Sequence, residues 1–302
     1  MKNSTLKFTI FLTICVLMAN KSFSSAIQRD TTNRVYKVNR WISGIFDAGA
    51  GVANIMSINR VYAKPVMTDA DFLLLNKNAF SKFDQRAFKQ NFSKINTYET
   101  YSNYTLGGTV LLPLILGFDK DIMKNWKDIM LMYVEMHMIT YGFYNFSPIG
   151  PTFVNKYRPI VYYDQLSMDQ RRTGKYQSSF YSGHVASTAG ASFFMAKVYC
   201  DYHPALGWKK YLLYGAATLP PLLLSDFRVK ALRHFPSDNM VGLGVGMLCG
   251  IMVPEMHKNK KNNYMLSMFT TQDANGLTLK WTPDNLNFSK INNFVPSFEK
   301  LQ

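Results

Sequence analysis

The sequence is short of cysteine, of acidic residues and of long hydrophobic runs, and each shortage narrows the reading. Three cysteines occur in 302 residues, and Cys15 lies in the extreme N-terminal segment. Cys200 and Cys249 stand in or beside apolar stretches, so they read as free buried thiols, and a disulfide-stapled scaffold is excluded. Charged residues make up 18% of the chain, and 19 Asp and Glu face 34 Lys and Arg. So little charge is unusual for a soluble domain. The net charge of +15 suits anionic partners such as phosphorylated substrates and acidic lipid headgroups. No zinc-finger spacing or nucleic-acid motif accompanies it, so nucleic acid is not an expected partner.

What the chain has in quantity is apolar and aromatic: 47% hydrophobic residues, with 22 Phe, 18 Tyr and 17 Met. That balance leans toward membrane association. The first residues read as a targeting segment, with Lys2 and Lys7 before the apolar stretch Phe8 to Ala19 and a small-x-small site at Ser24-Ser25-Ala26. Residues 1–26 are accordingly expected to be a cleaved signal peptide; the alternative is a retained first span. Residues 27–100 are polar and basic, an extracytoplasmic lead-in with helical pieces and an amphipathic patch from Trp41 to Ile58.

From residue 101 the texture changes. Tyr101–Phe118, Ile129–Phe146, Val185–Ala196, Tyr211–Ser225 and Asn239–Pro254 are five apolar runs, each short for the ~20 residues of a membrane helix. Taken singly, each fits a span or a buried helix of a soluble bundle. The loops between them favour spans. Lys120, Lys124 and Lys127, then Lys197, Lys209 and Lys210, then Lys258, Lys260 and Lys261 fall on one side, as the positive-inside rule asks of cytoplasmic loops. The other side receives residues 27–100, 147–184 and 226–238. The expected architecture is all-α: a helical core domain over 101–257, five short spans plus the signal segment, and a tail over 258–302. In that tail, alternation around Asn275-Gly276 predicts a β-hairpin turning at this dipeptide.

The candidate outer loops carry the chemistry. "VNKYRPIVYYD" holds Lys156 and Arg158-Pro159; "YSGH" places Ser182, Gly183 and His184 at the start of the third run. "FRVKALRHFPSDNMVGLGVG" sets Arg228 six residues before His234 and Asp238 four after it. Each fragment alone has an ordinary explanation as a helix cap or first turn. Together they supply what phosphoryl transfer through histidine requires. An aimed neutral imidazole, His234, acts as nucleophile, with Asp238 bonded to its other nitrogen to fix the tautomer. Arg158 and Arg228 grip phosphate oxygens bidentately, and the Ser182 hydroxyl and Gly183 N–H add donors at a helix N-terminus. His184 gives the leaving alkoxide its proton.

Arg-Pro, then Ser-Gly-His, then Arg-x5-His-x3-Asp resembles the motif set of the type 2 phosphatidic acid phosphatase and vanadium haloperoxidase superfamily. The resemblance covers roughly residues 100–257 and implies an all-helical bundle of that type. It also implies a metal-free, cofactor-free phosphatase, with His234 as nucleophile, His184 as general acid and Asp238 as orienting partner. Arg158, Arg228, Ser182 and Gly183 would then bind phosphate. The expected substrate is a phospholipid or polyprenyl phosphate, met at the extracytoplasmic face of a bacterial-type inner membrane. A soluble periplasmic acid phosphatase is the second reading, and a haloperoxidase holding vanadate in the same cage the third. Three positions depart from the superfamily pattern: Pro151 stands where it has lysine, Tyr181 where it has proline, and Phe227 where it has serine. Pro151 removes a cation, which Lys156 is expected to replace from another angle. That substitution implies weak activity or, in a fourth reading, a protein that binds lipid phosphate without turnover.

Overall fold

The computed structural model describes residues 34–259 and two strands, 264–270 and 275–281. The expected signal segment, residues 1–26, lies outside the described residues. Seven helices of eight residues or more occur among those described: α1 Arg40–Tyr62, α2 Ile95–Leu111, α3 Trp126–Phe146, α4 Gly183–Tyr202, α5 Lys210–Ala217, α6 Leu219–Lys230 and α7 Pro236–His257. The all-α reading of this part of the chain holds.

Each apolar run becomes helix, but their interruptions follow local chemistry. The first run leaves α-geometry at Leu112, where Pro113 cannot continue the ladder and 3₁₀ turns extend to Phe118. The fourth divides at Thr218 into α5 and α6, because Pro220 and Pro221 are tolerated only in the first turn of a new helix. By length and composition, two helices among the described residues qualify to cross a membrane: Arg40–Val61 and Pro236–His257. Of the five expected spans, Asn239–Pro254 lies within one of these two candidates. The other, Arg40–Val61, lies in the stretch read from sequence as a polar lead-in.

The bundle closes around α4. Met132, Met136, Phe194, Val198 and Val253 of α3, α4 and α7 form one apolar cluster. The α4–α7 seam is set by small residues. A Cβ on Gly242, Gly246 or Gly250 would lie 2.5, 2.0 or 2.6 Å from the carbonyl oxygen of Ser182, Ala186 or Gly190. Three glycines at four-residue spacing therefore let the two backbones touch, as small-residue stripes do between helices. The opposite face of α7 shows Met240, Leu248 and Met252 to the outside.

A second cluster supports the loops that carry the motifs. Phe80 stacks on Phe235 with ring centroids 4.5 Å apart, and Phe88 and Tyr162 pack edge-on or tilted around them. Val161, Leu232 and Phe235 are buried beneath. The described residues up to Lys258 form one compact unit, and the described residues beyond form another. Within the latter, β1 (Tyr264–Thr270) and β2 (Asn275–Trp281) pair antiparallel. The expected hairpin exists, but its turn is not at Asn275-Gly276. Those residues sit in the ladder opposite Thr270 and Phe269. Asn-Gly suits a two-residue turn, and here the register of the flanking residues overrides it.

Candidate active site

Four segments converge at one end of the bundle. The connection preceding α4 folds back on itself: Arg158 N–H donates to Tyr176 O at 2.8 Å, Lys156 N–H to Gln177 O at 3.0 Å, and Ser179 N–H to Lys156 O at 2.9 Å. This ladder brings the first motif beside the second. Arg158 Nη2 lies 3.3 Å from Ser178 Oγ and 3.4 Å from its carbonyl oxygen. Ser182 caps α4, its hydroxyl accepting from Val185 N–H at 3.5 Å. Its own N–H donates to Asp238 O at 3.2 Å, joining the start of α4 to the start of α7. Gly183 opens α4 directly under Tyr144, whose ring would lie 3.0 Å from any Cβ added there. A side chain at that position would need the Tyr144 ring to give by a few tenths of an ångström.

Arg228, at the end of α6, is 3% exposed, and its Nη1 reaches Ser102 Oγ on α2 at 3.3 Å. The chain then turns at Leu232, whose φ of 56° is left-handed and strained for a branched residue. Ile160 N–H secures that turn by donating to Leu232 O at 3.2 Å. Beyond it, His234 is 2% exposed, and its Nδ1 lies 2.6 Å from Ser179 O.

That contact corrects the expected tautomer lock. Asp238 does not touch His234. Its carboxylate accepts from Lys156 Nζ at 2.6 Å, Ser179 Oγ at 2.6 Å and Phe235 N–H at 3.0 Å. The Ser179 carbonyl does the locking, and since a carbonyl only accepts, Nδ1 of His234 must carry the proton. The lone pair is left on Nε2. Asp238 acts one step back, fixing Ser179 by its hydroxyl.

Lys156 is likewise not where its expected role needs it. Its ammonium ion pairs with Asp238, lies 4.0 Å from Asp84 and rests over the Phe235 ring at 4.7 Å. Asp84 in turn takes the N–H and hydroxyl of Ser237 at 2.9 and 2.7 Å, completing the start of α7. Held this way, Lys156 supports the loop and does not replace the cation missing at Pro151, a residue that is itself buried.

The electrostatics favour neutral imidazoles in the free protein. Burial, then the charges of Arg228 and Arg158, push His234 well below the ordinary histidine range against the opposing pull of Ser179 O. His184, the second residue of α4, is pushed down to about 3 by burial and then by Arg228, Arg158 and Arg233. A dianion bound among the guanidiniums reverses the last three effects.

Two participants were not found from the motifs. The Ser179 carbonyl has no side-chain signature. Arg233, which pairs with Glu99 on α2 at 2.5 Å, was visible only as one charge in a basic loop.

The comparisons with known proteins bear on the same region. No curated protein matches the chain. Among solved structures, one titled "Crystal structure of the first transmembrane PAP2 type phosphatidylglycerolphosphate phosphatase from Bacillus subtilis" is similar at 16% identity. The likeness covers 72% of this chain and 98% of that one at a TM-score of 0.39, too low to support the site assignment. The model of the PAP2 superfamily matches residues 130–262, the stretch that contains all three motifs. Through that region the chain is similar to the PAP2 superfamily.

Proposed function

We propose that the protein is a phosphatase acting on a lipid phosphate or lipid diphosphate through a phosphohistidine at His234. The observation that carries this reading is the Nδ1–Ser179 contact at 2.6 Å, because it leaves Nε2 as the nucleophilic nitrogen of a buried neutral imidazole. Nε2 attacks phosphorus, the P–O bond to the alcohol breaks, and the departing alkoxide takes the proton held by His184. Water then attacks the phosphohistidine, giving its proton back to His184, and inorganic phosphate leaves. Arg158 and Arg228 spread the charge of the phosphoryl oxygens, and Ser182 and Gly183 add neutral donors at the α4 N-terminus.

The lipid substrate class is supported by the surface. Trp41, Ile45, Tyr211, Leu219, Met240 and Leu248 are all more than half exposed, a display that suits acyl chains better than water. An apolar groove of about 520 Å³, lined by Thr105, Gly108, Thr109, Leu219, Pro220 and Leu223, follows the α2–α6 seam. The same two helices carry Ser102 and Arg228 toward the site, so a tail in the groove would place its headgroup near the arginines. If all five runs read from the sequence span the membrane, their lysine-rich loops fall inside and the site faces the extracytoplasmic side.

The test is phosphate release from phosphatidate, phosphatidylglycerophosphate, a polyprenyl diphosphate and soluble phosphomonoesters, with chelator present, beside His234→Ala. Lipid phosphates should turn over in the wild type and not in the variant. Equal turnover by both proteins sinks the nucleophile assignment, and preference for soluble esters sinks the lipid one.

A further inference from the structure

The site as read from its motifs is one cation short: Pro151 stands where the superfamily has lysine, and Lys156 is bound to Asp238. We propose that Arg233 supplies the third phosphate-binding cation, presented to the site by Glu99. The proposal rests on the phosphatase reading and names how that site holds its phosphate.

Three observations place Arg233 there. The left-handed turn at Leu232 returns the chain so that Arg233 N–H donates to Arg228 O at 3.0 Å, bringing the two arginines together. On α2, Glu99 and Ser102 are one turn apart, which puts their side chains on the same face. Glu99 takes Nη2 of Arg233 at 2.5 Å and Ser102 takes Nη1 of Arg228 at 3.3 Å, so the two guanidiniums are held by adjacent turns of one helix. Finally, Nε of Arg233 and Nε of Arg228 are both buried and lack a hydrogen-bond partner among the described residues. A buried unsatisfied N–H is destabilising, and here two such donors belong to neighbouring guanidiniums at the motif loops. An anion with several acceptor oxygens satisfies both at once.

Glu99 makes the arrangement tolerable without ligand. Arg158, Arg228 and Arg233 repel one another, and one carboxylate partly offsets them until the phosphate dianion arrives. Lysine at position 233 would keep the charge but lose the planar fork that serves Glu99 and phosphate together.

The experiment measures kcat, KM and competitive inhibition by inorganic phosphate, with dioctanoyl phosphatidate as substrate. It uses full-length wild type, Arg233→Ala, Arg233→Lys and Glu99→Gln in detergent micelles. Arg233→Ala should lower kcat/KM by ~10²-fold, the usual loss on removing one charge stabiliser. It should also weaken phosphate inhibition by roughly tenfold or more, the equivalent of one hydrogen bond to a charged group. Arg233→Lys should recover part of both losses, and it preserves the test should the alanine variant fail to fold. Glu99→Gln should melt earlier yet keep or tighten phosphate inhibition, because a competitor for Arg233 is gone. A purely structural pair predicts matched loss of stability in Arg233→Ala and Glu99→Gln with phosphate inhibition unmoved in either; that result overturns the proposal. Should wild type neither hydrolyse phosphatidate nor bind phosphate, both the proposal and the phosphatase reading fall. An active wild type with an equally active Arg233→Ala removes the proposal alone.

Discussion

Replacing Lys156 separates two roles that the sequence could not distinguish. If its ammonium belonged to the phosphate cage, Lys156→Met would weaken phosphate binding. The structure instead ties it to Asp238 at 2.6 Å, where the carboxylate side chain is 0% exposed and the lysine side chain 24%. Methionine preserves the stem that packs over Phe235 but strands a buried carboxylate, leaving it the Ser179 hydroxyl and the Phe235 N–H. Removing one partner of a buried pair costs about 3–5 kcal/mol, and the partial exposure of Lys156 places the expected loss near the lower figure, about 3 kcal/mol. For a unit of this size that corresponds to a fall in Tm of roughly 6–12 °C. The assay is thermal unfolding followed by circular dichroism in micelles, with inorganic phosphate inhibition measured alongside. Adding Asp238→Asn to Lys156→Met should restore much of the stability, since the carboxylate in direct contact with the lost ammonium is gone and Asp84, 4.0 Å from it, keeps its two Ser237 donors. A Tm within a degree of wild type, together with phosphate inhibition weakened tenfold or more, would refute the pairing argument and return Lys156 to the cage.

Other predictions address the seam and the histidines. Gly246→Ala forces a Cβ against Ala186 O, and such overpacking costs about 1–3 kcal/mol. It should also slow turnover, because Ser182 and His184 face His234 and Asp238 across that seam. Gly244→Ala, with nothing within 4 Å of the new atom, serves as the control and should hold or raise Tm. For pH, the sign follows from histidines whose folded values are lowered. His184 and His234 stay neutral in the folded protein and protonate more readily when unfolded. Stability is therefore fully present above about pH 6.5 and declines as pH falls toward 3, the folded value of His184. His184→Asn should remove its share of that slope, and saturating inorganic phosphate should flatten it. A Tm independent of pH over this window would contradict the electrostatic picture of the site.

How much could be read in advance divides by the range of the interaction. The helical texture and the three motifs are local patterns, so Arg158, Ser182, Gly183, His184, Arg228, His234 and Asp238 were all identifiable, and the structure gathers them at one end of the bundle. What was misread depends on contacts between distant segments. The His234 tautomer is set by a backbone carbonyl fifty-five residues away, which no side-chain pattern announces. Lys156 lies near Arg158 in sequence, yet its partner belongs to the start of α7. Arg233 looked like loop charge because Glu99, the residue that aims it, sits on α2 in a stretch read as lead-in. The α7 glycines 242, 246 and 250 meet carbonyls on α4 some sixty residues away, which their own spacing does not reveal. At Asn275-Gly276 a strong local turn preference lost to strand register.

The central claim is that Nε2 of His234 becomes covalently phosphorylated. Rapid acid-free quenching of the protein with a phosphate-labelled lipid substrate tests it directly, read out as label retained on the chain. The account predicts a base-stable, acid-labile phosphoprotein in the wild type and none in His234→Gln. His184→Asn should accumulate the label if breakdown of the intermediate is slowed more than its formation. Turnover without a labelled chain, or label that survives in His234→Gln, would contradict it.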